Sequence, residues 1–231
     1  MLANLLKEPF ASSKGDNVVV IGLGRFGSAL ARSLTQLGHD VMGIDKNAEQ
    51  VQAWADHVTH AAQADSTSVN VMRQLGVADF SHAVVGIGSD LASSLMTVMV
   101  LTELGVKDIW VRAFTMEHGQ IAQRIGAHHV VYPEAEMAER VAHLITGRTV
   151  DYLEFDDGSA IAMIYAPLPV HHRPLGDDGI LGNFGVTVIG VKHANKDFQQ
   201  ATPLTVVLPG DLLIISGPIQ KVAELAGRAN T

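Results

Sequence analysis

A short β-branched run, Val18–Ile21, leads straight into Gly22-Leu23-Gly24-Arg25-Phe26-Gly27, and a helical pattern begins inside that loop. Phe26, Ala29, Leu30, Ser33, Leu34 and Leu37 fall at helical spacing, and Gly38 ends the pattern. Val41–Ile44 then reads as a second strand, closed by Asp45. Strand, glycine loop, helix and acid-tipped strand form a right-handed crossover unit, which makes the two strands parallel. The loop chemistry is equally constraining. Gly22 allows the tight turn, Gly24 lets backbone amides approach a diphosphate, and Gly27 lets helix and strand pack closely. The helix start offers unpaired N–H groups and a positive dipole end to phosphates. Asp45 lies where a ribose diol would sit, and its charge disfavours a 2′-phosphate.

The alternation continues. Ala48–Ala55 reads as a helix, Val58–Ala61 as a third strand and Val69–Leu75 as a helix stopped by Gly76. Ala83–Ile87, Ile109–Ala113 and His129–Tyr132 read as strands, separated by helices at Leu91–Leu104 and Glu117–Ile125. This pattern predicts an α/β fold, a Rossmann-like doubly wound parallel sheet of six strands. Leu95, Met96, Val98, Met99, Val100, Leu101 and Leu104 leave the Leu91–Leu104 helix little polar face. A helix of that kind is buried on more than one side. Its second side is covered either by another subunit or by the monomer's own core.

After Pro133 the grammar changes. Glu134–Thr146 reads as an amphipathic helix and Gly147 as a boundary. Tyr152–Phe155, Ala160–Ala166, Val186–Lys192 and Leu212–Ser216 are strand-like, with Pro, Gly and Asp turns between them, and Lys221–Ala226 closes the chain as a short helix. Pro209-Gly210-Asp211 reads as a turn feeding the last strand. The expected organisation is therefore an N-terminal arm (1–15), a nucleotide-binding domain (16–133), a crossover helix and linker (134–149) and a small α+β domain (150–231). That last module carries nine acids and five Lys or Arg, a net charge of −4 that gives no special support for an anionic ligand.

The bulk numbers exclude several classes. A net charge of −8 argues against a nucleic-acid partner or an anionic-lipid surface, both of which need clustered Lys and Arg. With Cys 0, there are no disulfides, thiol nucleophiles or thiolate metal sites. Apolar runs fall well short of the ~18 residues of a membrane span, and the first residues lack a signal-peptide core.

Candidate ligand contacts follow from strand ends. Gly22, Gly24, Phe26 and Gly27 belong to the glycine loop, with Arg25 among them as a charge that a simple dinucleotide site does not require. It suits either a triphosphate or a solvated surface. Asp45 and Lys46 follow the second strand, Asp65 and Ser66 the third, and Gly86, Ile87 and Gly88 the fourth. Carboxyl ends of strands are where ligands bind in open α/β sheets. Small residues there leave room for an adenine ring, whose amino group Asp65 is placed to meet. An NAD-dependent oxidoreductase is the alternative suggested by the fingerprint. Hydride transfer requires an acid/base and an anchoring Arg at a substrate site, and neither His128-His129 nor His171-His172 has that setting. Both pairs read as structural or surface residues.

Taken together, Val20-Ile21-Gly22-Leu23-Gly24-Arg25-Phe26-Gly27, Ile44-Asp45, Ala64-Asp65-Ser66-Thr67, Val85-Gly86-Ile87-Gly88, Ile109-Trp110-Val111-Arg112-Ala113 and Tyr132-Pro133-Glu134 resemble successive motifs of the Ktr/Trk-type potassium uptake regulators, the RCK or KTN domain family. The likeness runs from about Asn17 to Arg228 and includes the small C-terminal module, which looks like an RCK-C domain. It points to the Ktr branch. The resemblance implies a non-enzymatic subunit, peripheral on the cytoplasmic face of the membrane and docked on a potassium-translocating membrane subunit. It implies homo-dimers assembling into an octameric ring, with ATP and ADP as regulatory ligands and NAD(H) as a further one. By similarity Arg25 reaches the terminal phosphate. Glu134 stands where the family has an acid that helps bind a divalent cation, Mg or Ca, with Na as another candidate. Arg112 replaces a lysine common in that strand motif, which keeps the charge and changes the geometry.

Overall fold

The computed structural model describes residues 16–88, 90–145, 149–176, 184–194 and 196–228. The arm at 1–15, Ser89, Thr146 and Gly147 fall outside them. The chain divides into two compact units, after Glu134.

In the first unit, β1 (Asn17–Ile21), β2 (Asp40–Asp45), β3 (His60–Gln63), β4 (His82–Val85), β5 (Ile109–Arg112) and β6 (His129–Val131) form one sheet in the order β3-β2-β1-β4-β5-β6. All five pairings are parallel. The strand order reverses between β1 and β4, so loops leaving these strands diverge to opposite faces and open a crevice. Helices α1 (Arg25–Gln36) and α2 (Ala48–Trp54) cover one face, through Val18, Val20, Leu23, Ala31 and Val41. Helices α3 (Val69–Gln74), α4 (Leu91–Glu103) and α5 (Met116–Arg124) cover the other, where Val19, Ile21, Met72, Val98, Leu101 and Ala122 share a core. Val18 to Ile21 are buried throughout, as a strand sandwiched between helix layers requires.

The third strand lies at His60–Gln63 rather than at 58–61, because pairing Met42 with His60 sets the register, while Val58 is buried just before it. At the amino ends of β4 to β6, Asp108 accepts from Trp110 Nε1 at 2.8 Å, meets His82 Nδ1 at 2.6 Å and lies 3.0 Å from His129 Nε2. Burial pushes the Asp108 carboxyl up, but these partners outweigh it and hold the group below the ordinary value. His129 stacks on Trp110, and His128 Nδ1 accepts from Ile109 N–H, which accounts for the first histidine pair as structural.

Helix α6 (Pro133–Ile145) begins two residues before the division, and the second unit continues with β7 (Asp151–Glu154), β8 (Ser159–Tyr165), β9 (Thr187–Lys192), β10 (Phe198–Gln200) and β11 (Leu212–Pro218). They form an antiparallel sheet in the order β10-β9-β11-β8-β7. Helix α7 (Ile219–Gly227) packs Val222, Leu225 and Ala226 on Ala160, Ala162, Ile164, Leu213 and Ile215. The turn before β11 is held by Asp211, which accepts from Leu208 N–H at 2.7 Å and pairs with His193 Nδ1 at 2.7 Å. His171 Nε2 lies 2.9 Å from the Ala166 carbonyl oxygen, again a structural contact.

Candidate nucleotide site

The crevice at the strand reversal is a cavity of about 300 Å³. It is walled by Gly22, Gly24, Arg25, Asp45, Lys46, Asp65, Ser66, Gly86, Ile87, Gly88 and Arg112. The structure thus brings together at one place residues separated by up to ninety positions of sequence. Phe26, Gly27 and Glu134 are not in the wall.

The glycine loop divides its labour. Gly27 sits under the turn: a Cβ there would lie 1.9 Å from the Gly22 carbonyl oxygen. Gly24, with φ −68°, lines the cavity, and nothing lies within 4 Å of where its Cβ would be. Gly24 is also the N-cap of α1, and it brings no capping side chain; the first turn has no acid. The leading N–H groups of α1 therefore present an unneutralised dipole end to the cavity. Arg25 adds a full charge at the same end. Phe26, in that first turn, sits beside Arg112, with its ring centroid 5.9 Å from the guanidinium carbon.

Asp45 is oriented before any ligand arrives. Oδ2 accepts from Leu23 N–H at 2.7 Å and Oδ1 from Asn47 N–H at 2.8 Å. Each carboxylate oxygen has a second lone pair, so the group can still accept from a vicinal diol. Asp65 Oδ1 accepts from the Thr67 hydroxyl at 2.7 Å and from Thr67 N–H at 3.0 Å. Those bonds hold the Asp65 carboxyl below the usual range, with Lys46 adding a smaller push in the same direction. Ser66 is buried and shares a 2.8 Å hydrogen bond with Thr97 of α4.

Arg112, the last residue of β5, points its guanidinium along the cavity wall, where Nη2 donates to Glu134 Oε1. That bond is the main reason the Glu134 carboxyl lies below its ordinary value, and the charge of Arg25 contributes too. Among the described residues no group of three or more His, Cys, Asp or Glu is arranged to hold a metal ion.

Five wall residues were not among the candidate contacts, Ile21, Ile44, Ala64, Thr67 and Ser93, and of these Ser93 lies outside every motif read in the sequence. Ser93 lines the cavity from the first turn of α4, where Asp90 caps the helix by accepting from Ser93 N–H at 3.1 Å and from its hydroxyl at 2.5 Å. The signal was available: an acid three residues ahead of a serine, just after the β4 loop, marks a helix start at the ligand edge of the sheet.

Comparison with known proteins agrees with this architecture. The TrkA-N domain model matches residues 18–133 and the TrkA-C domain model residues 160–229. The Ktr system potassium uptake protein C of Bacillus subtilis is 32% identical over 210 residues, 90% of this chain and 95% of that protein. The Ktr system potassium uptake protein A of Vibrio alginolyticus is 31% identical, covering 89% of this chain and 94% of that one. Among solved structures, the GsuK RCK domain superposes with a TM-score of 0.64 at 18% identity, over 96% of this chain, which spans 49% of that one. The NAD(P)-binding domain of an exopolyphosphatase-related protein from Archaeoglobus fulgidus matches 56% of this chain and 97% of its own, with a TM-score of 0.50 at 25% identity. A six-stranded parallel unit with its glycine loop, followed by an antiparallel unit and matched in sequence along almost its whole length, places this chain in the TrkA-N/TrkA-C family, that of the Ktr potassium uptake proteins.

Proposed function

We propose that this protein is a nucleotide-sensing regulatory subunit of a potassium uptake system, which binds ATP and ADP at the cavity above β1 and β4. The observation that carries the reading is the anion-ready end of α1. Uncapped N–H groups, open space at Gly24 and two arginines converge there, while Asp45 stands pre-oriented for a ribose. Full-length similarity to proteins named for potassium uptake supplies the biological setting. Other GsuK structures are described as bound to NAD and to ADP. They share only the fold with this chain, so the choice of ligand rests on the chemistry of the wall, and NAD(H) remains a further ligand in this reading.

In this account residues 16–133 bind the nucleotide, 134–149 cross over, and 150–231 form the RCK-C domain. Gly22, Gly24 and Arg25 hold phosphates, Asp45 and Lys46 flank the ribose, and Asp65, Ser66, Gly86, Ile87 and Gly88 surround the base. A cation at Glu134, whether Mg, Ca or Na, would draw most of its ligands from phosphate oxygens. The nucleotide is read and released unchanged. Two nucleotides that share adenosine contacts but differ in phosphate count stabilise different arrangements of a homo-oligomer, a dimer built into an octameric ring. Only that differential affinity does work on the membrane partner. Coupling of ~1–3 kcal/mol per site, repeated around a ring, suffices for a switch. The protein would sit on the cytoplasmic face of the membrane; among the described residues no helix is long and apolar enough to cross one.

Calorimetric titration with ATP and with ADP tests the reading directly. Binding of both with different affinities is expected, and no heat at millimolar nucleotide would sink it. Co-purification with a potassium-translocating membrane protein separates the proposal from a stand-alone metabolite sensor. Substrate-dependent change in NADH absorbance would favour an oxidoreductase instead.

A further inference from the structure

Along one side of the cavity, every wall hydroxyl has its single proton committed to the protein. A serine or threonine hydroxyl carries one O–H donor and two acceptor lone pairs. Thr67, in the wall beside Asp65, donates to Asp65 Oδ1 at 2.7 Å. Ser93, in the wall from the first turn of α4, donates to Asp90 Oδ2 at 2.5 Å. Those hydrogen bonds hold both carboxyls below the usual range, so each stays ionised and can only accept.

Ser66 is settled by counting protons. Its hydroxyl lies 2.8 Å from the Thr97 hydroxyl, and that distance alone leaves the donor open. Thr97 is 0% exposed and gives its one proton to the Ser93 carbonyl oxygen at 2.7 Å. Ser66 must therefore donate to Thr97, and its hydroxyl has only lone pairs left for a ligand. The same bond ties the loop after β3 to α4, one turn on from Ser93, so Asp65, Ser66, Thr67 and Ser93 stand on one side of the cavity. Their side chains offer acceptors and no free donor.

Building on the nucleotide-binding reading, we propose that this wall selects the base by hydrogen-bond polarity. It takes a 6-aminopurine and rejects a 6-oxopurine, and Thr97 and Asp90 are the positioning residues that fix the polarity. Adenine brings two N–H donors at its 6-position, whereas guanine and hypoxanthine carry a carbonyl oxygen there. That oxygen, set against a wall of lone pairs, finds no donor. A site built to accept from N–H groups discriminates against an analogue that lacks them. Neither Thr97 nor Asp90 lines the cavity. Each acts through the serine it holds: Thr97 takes the proton of Ser66, and Asp90 takes that of Ser93.

The test titrates the full chain calorimetrically with ATP and with ITP, which share ribose and triphosphate and differ only in the base. The wild type is expected to bind ATP about tenfold or more tighter, the scale of one mispaired hydrogen bond. Thr97→Val keeps the shape of the side chain and frees the Ser66 proton to turn to the cavity, so the ATP-to-ITP ratio should fall to about threefold or less. Thr97→Ser restores the acceptor and should keep the wild-type ratio. A merely structural role for Thr97 would weaken both nucleotides alike, and an unchanged ratio in Thr97→Val overturns the proposal. Circular dichroism checks the fold. Should Thr97→Val fail to fold, Ser66→Ala decides: loss of the acceptor should weaken ATP and leave ITP unaffected, and equal weakening of both overturns the proposal. Equal binding of ATP and ITP by the wild type overturns it too, with nucleotide binding itself intact. Absence of any nucleotide binding by the wild type refutes the underlying function and this inference with it, an outcome distinct from the others.

Discussion

Gly24 and Gly27 look equivalent in the glycine loop and have different physical jobs. A methyl at 27 would overlap the Gly22 carbonyl oxygen, so the backbone has to move. A methyl at 24 meets no protein atom, and φ there is −68°, comfortable for alanine. Gly27→Ala should therefore cost about 2–3 kcal/mol of folding stability, as overpacking of a tight contact does. Gly24→Ala should stay within about 1 kcal/mol of the wild type while weakening nucleotide binding by about tenfold or more, because the methyl occupies the space where phosphate oxygens would meet the amides. Thermal melts paired with calorimetry separate the two. Equal destabilisation of both variants, or unimpaired binding by Gly24→Ala, would count against this division. Much of the wall was legible at this scale because glycines and acids at strand ends act through backbone geometry, which short-range sequence encodes. The Arg112–Glu134 pair was not, since it joins the end of β5 to the start of α6 and no local pattern brings the two together.

At the scale of elements, α4 shows how amount of hydrophobicity and direction of burial part company. Its composition suggested burial on more than one side. Within the monomer it buries Ser94, Thr97, Val98, Val100 and Leu101, and leaves Leu91, Met96 and Met99 substantially exposed. Polar residues sit inside because each finds a partner: Thr97 donates to the Ser93 carbonyl at 2.7 Å and meets Ser66, while Ser94 meets His118 Nε2 of α5 at 3.2 Å. Side-chain hydrogen bonding across elements is invisible to a periodicity argument, as was β10, three exposed residues placed only by pairing with β9. The α4–α5 contact has a pH consequence. His118 is 1% exposed, its Nδ1 has no partner, and burial depresses its pKa below the ordinary 6.5. A depressed folded-state pKa means the unfolded chain binds the proton more readily. Stability is thus fully present above about pH 6.5 and falls as pH drops below it towards the folded-state value, with a slope of at most about 1.4 kcal/mol per pH unit. His118→Leu removes that component. Chemical denaturation at pH 7.5 and at pH 5.5 should show a smaller loss for the variant than for the wild type; identical losses would mean that His118 does not titrate on unfolding.

For the molecule as a whole, the exposed face of α4 is the feature the monomer leaves unexplained. Met96 is 50% and Met99 57% exposed, and on the neighbouring α5 Met116 is 61% and Ile121 41% exposed. Single exposed apolar residues are ordinary, but several on adjacent helices mark a surface that associates. Methionine suits such a surface because its unbranched side chain adapts to a partner. A regulatory mechanism that amplifies small differences between nucleotides also needs more than one site, since coupling adds around an assembly. With the proposed nucleotide-sensing function, both arguments predict a subunit contact on α4 and α5. Met99→Glu tests it with little risk to the fold, because a solvent-facing helix position tolerates glutamate within about 0.5 kcal/mol. Burying that carboxylate against a second apolar surface would cost several times more. Sedimentation velocity at micromolar concentration should show the wild type as a dimer or larger and Met99→Glu shifted to smaller species. Nucleotide affinity per chain should change little if the cavity is completed within one subunit, and should fall together with the mass if Arg25 reaches a phosphate held by its neighbour. An unchanged sedimentation coefficient in the variant would remove α4 from the interface and leave its methionines as plain surface.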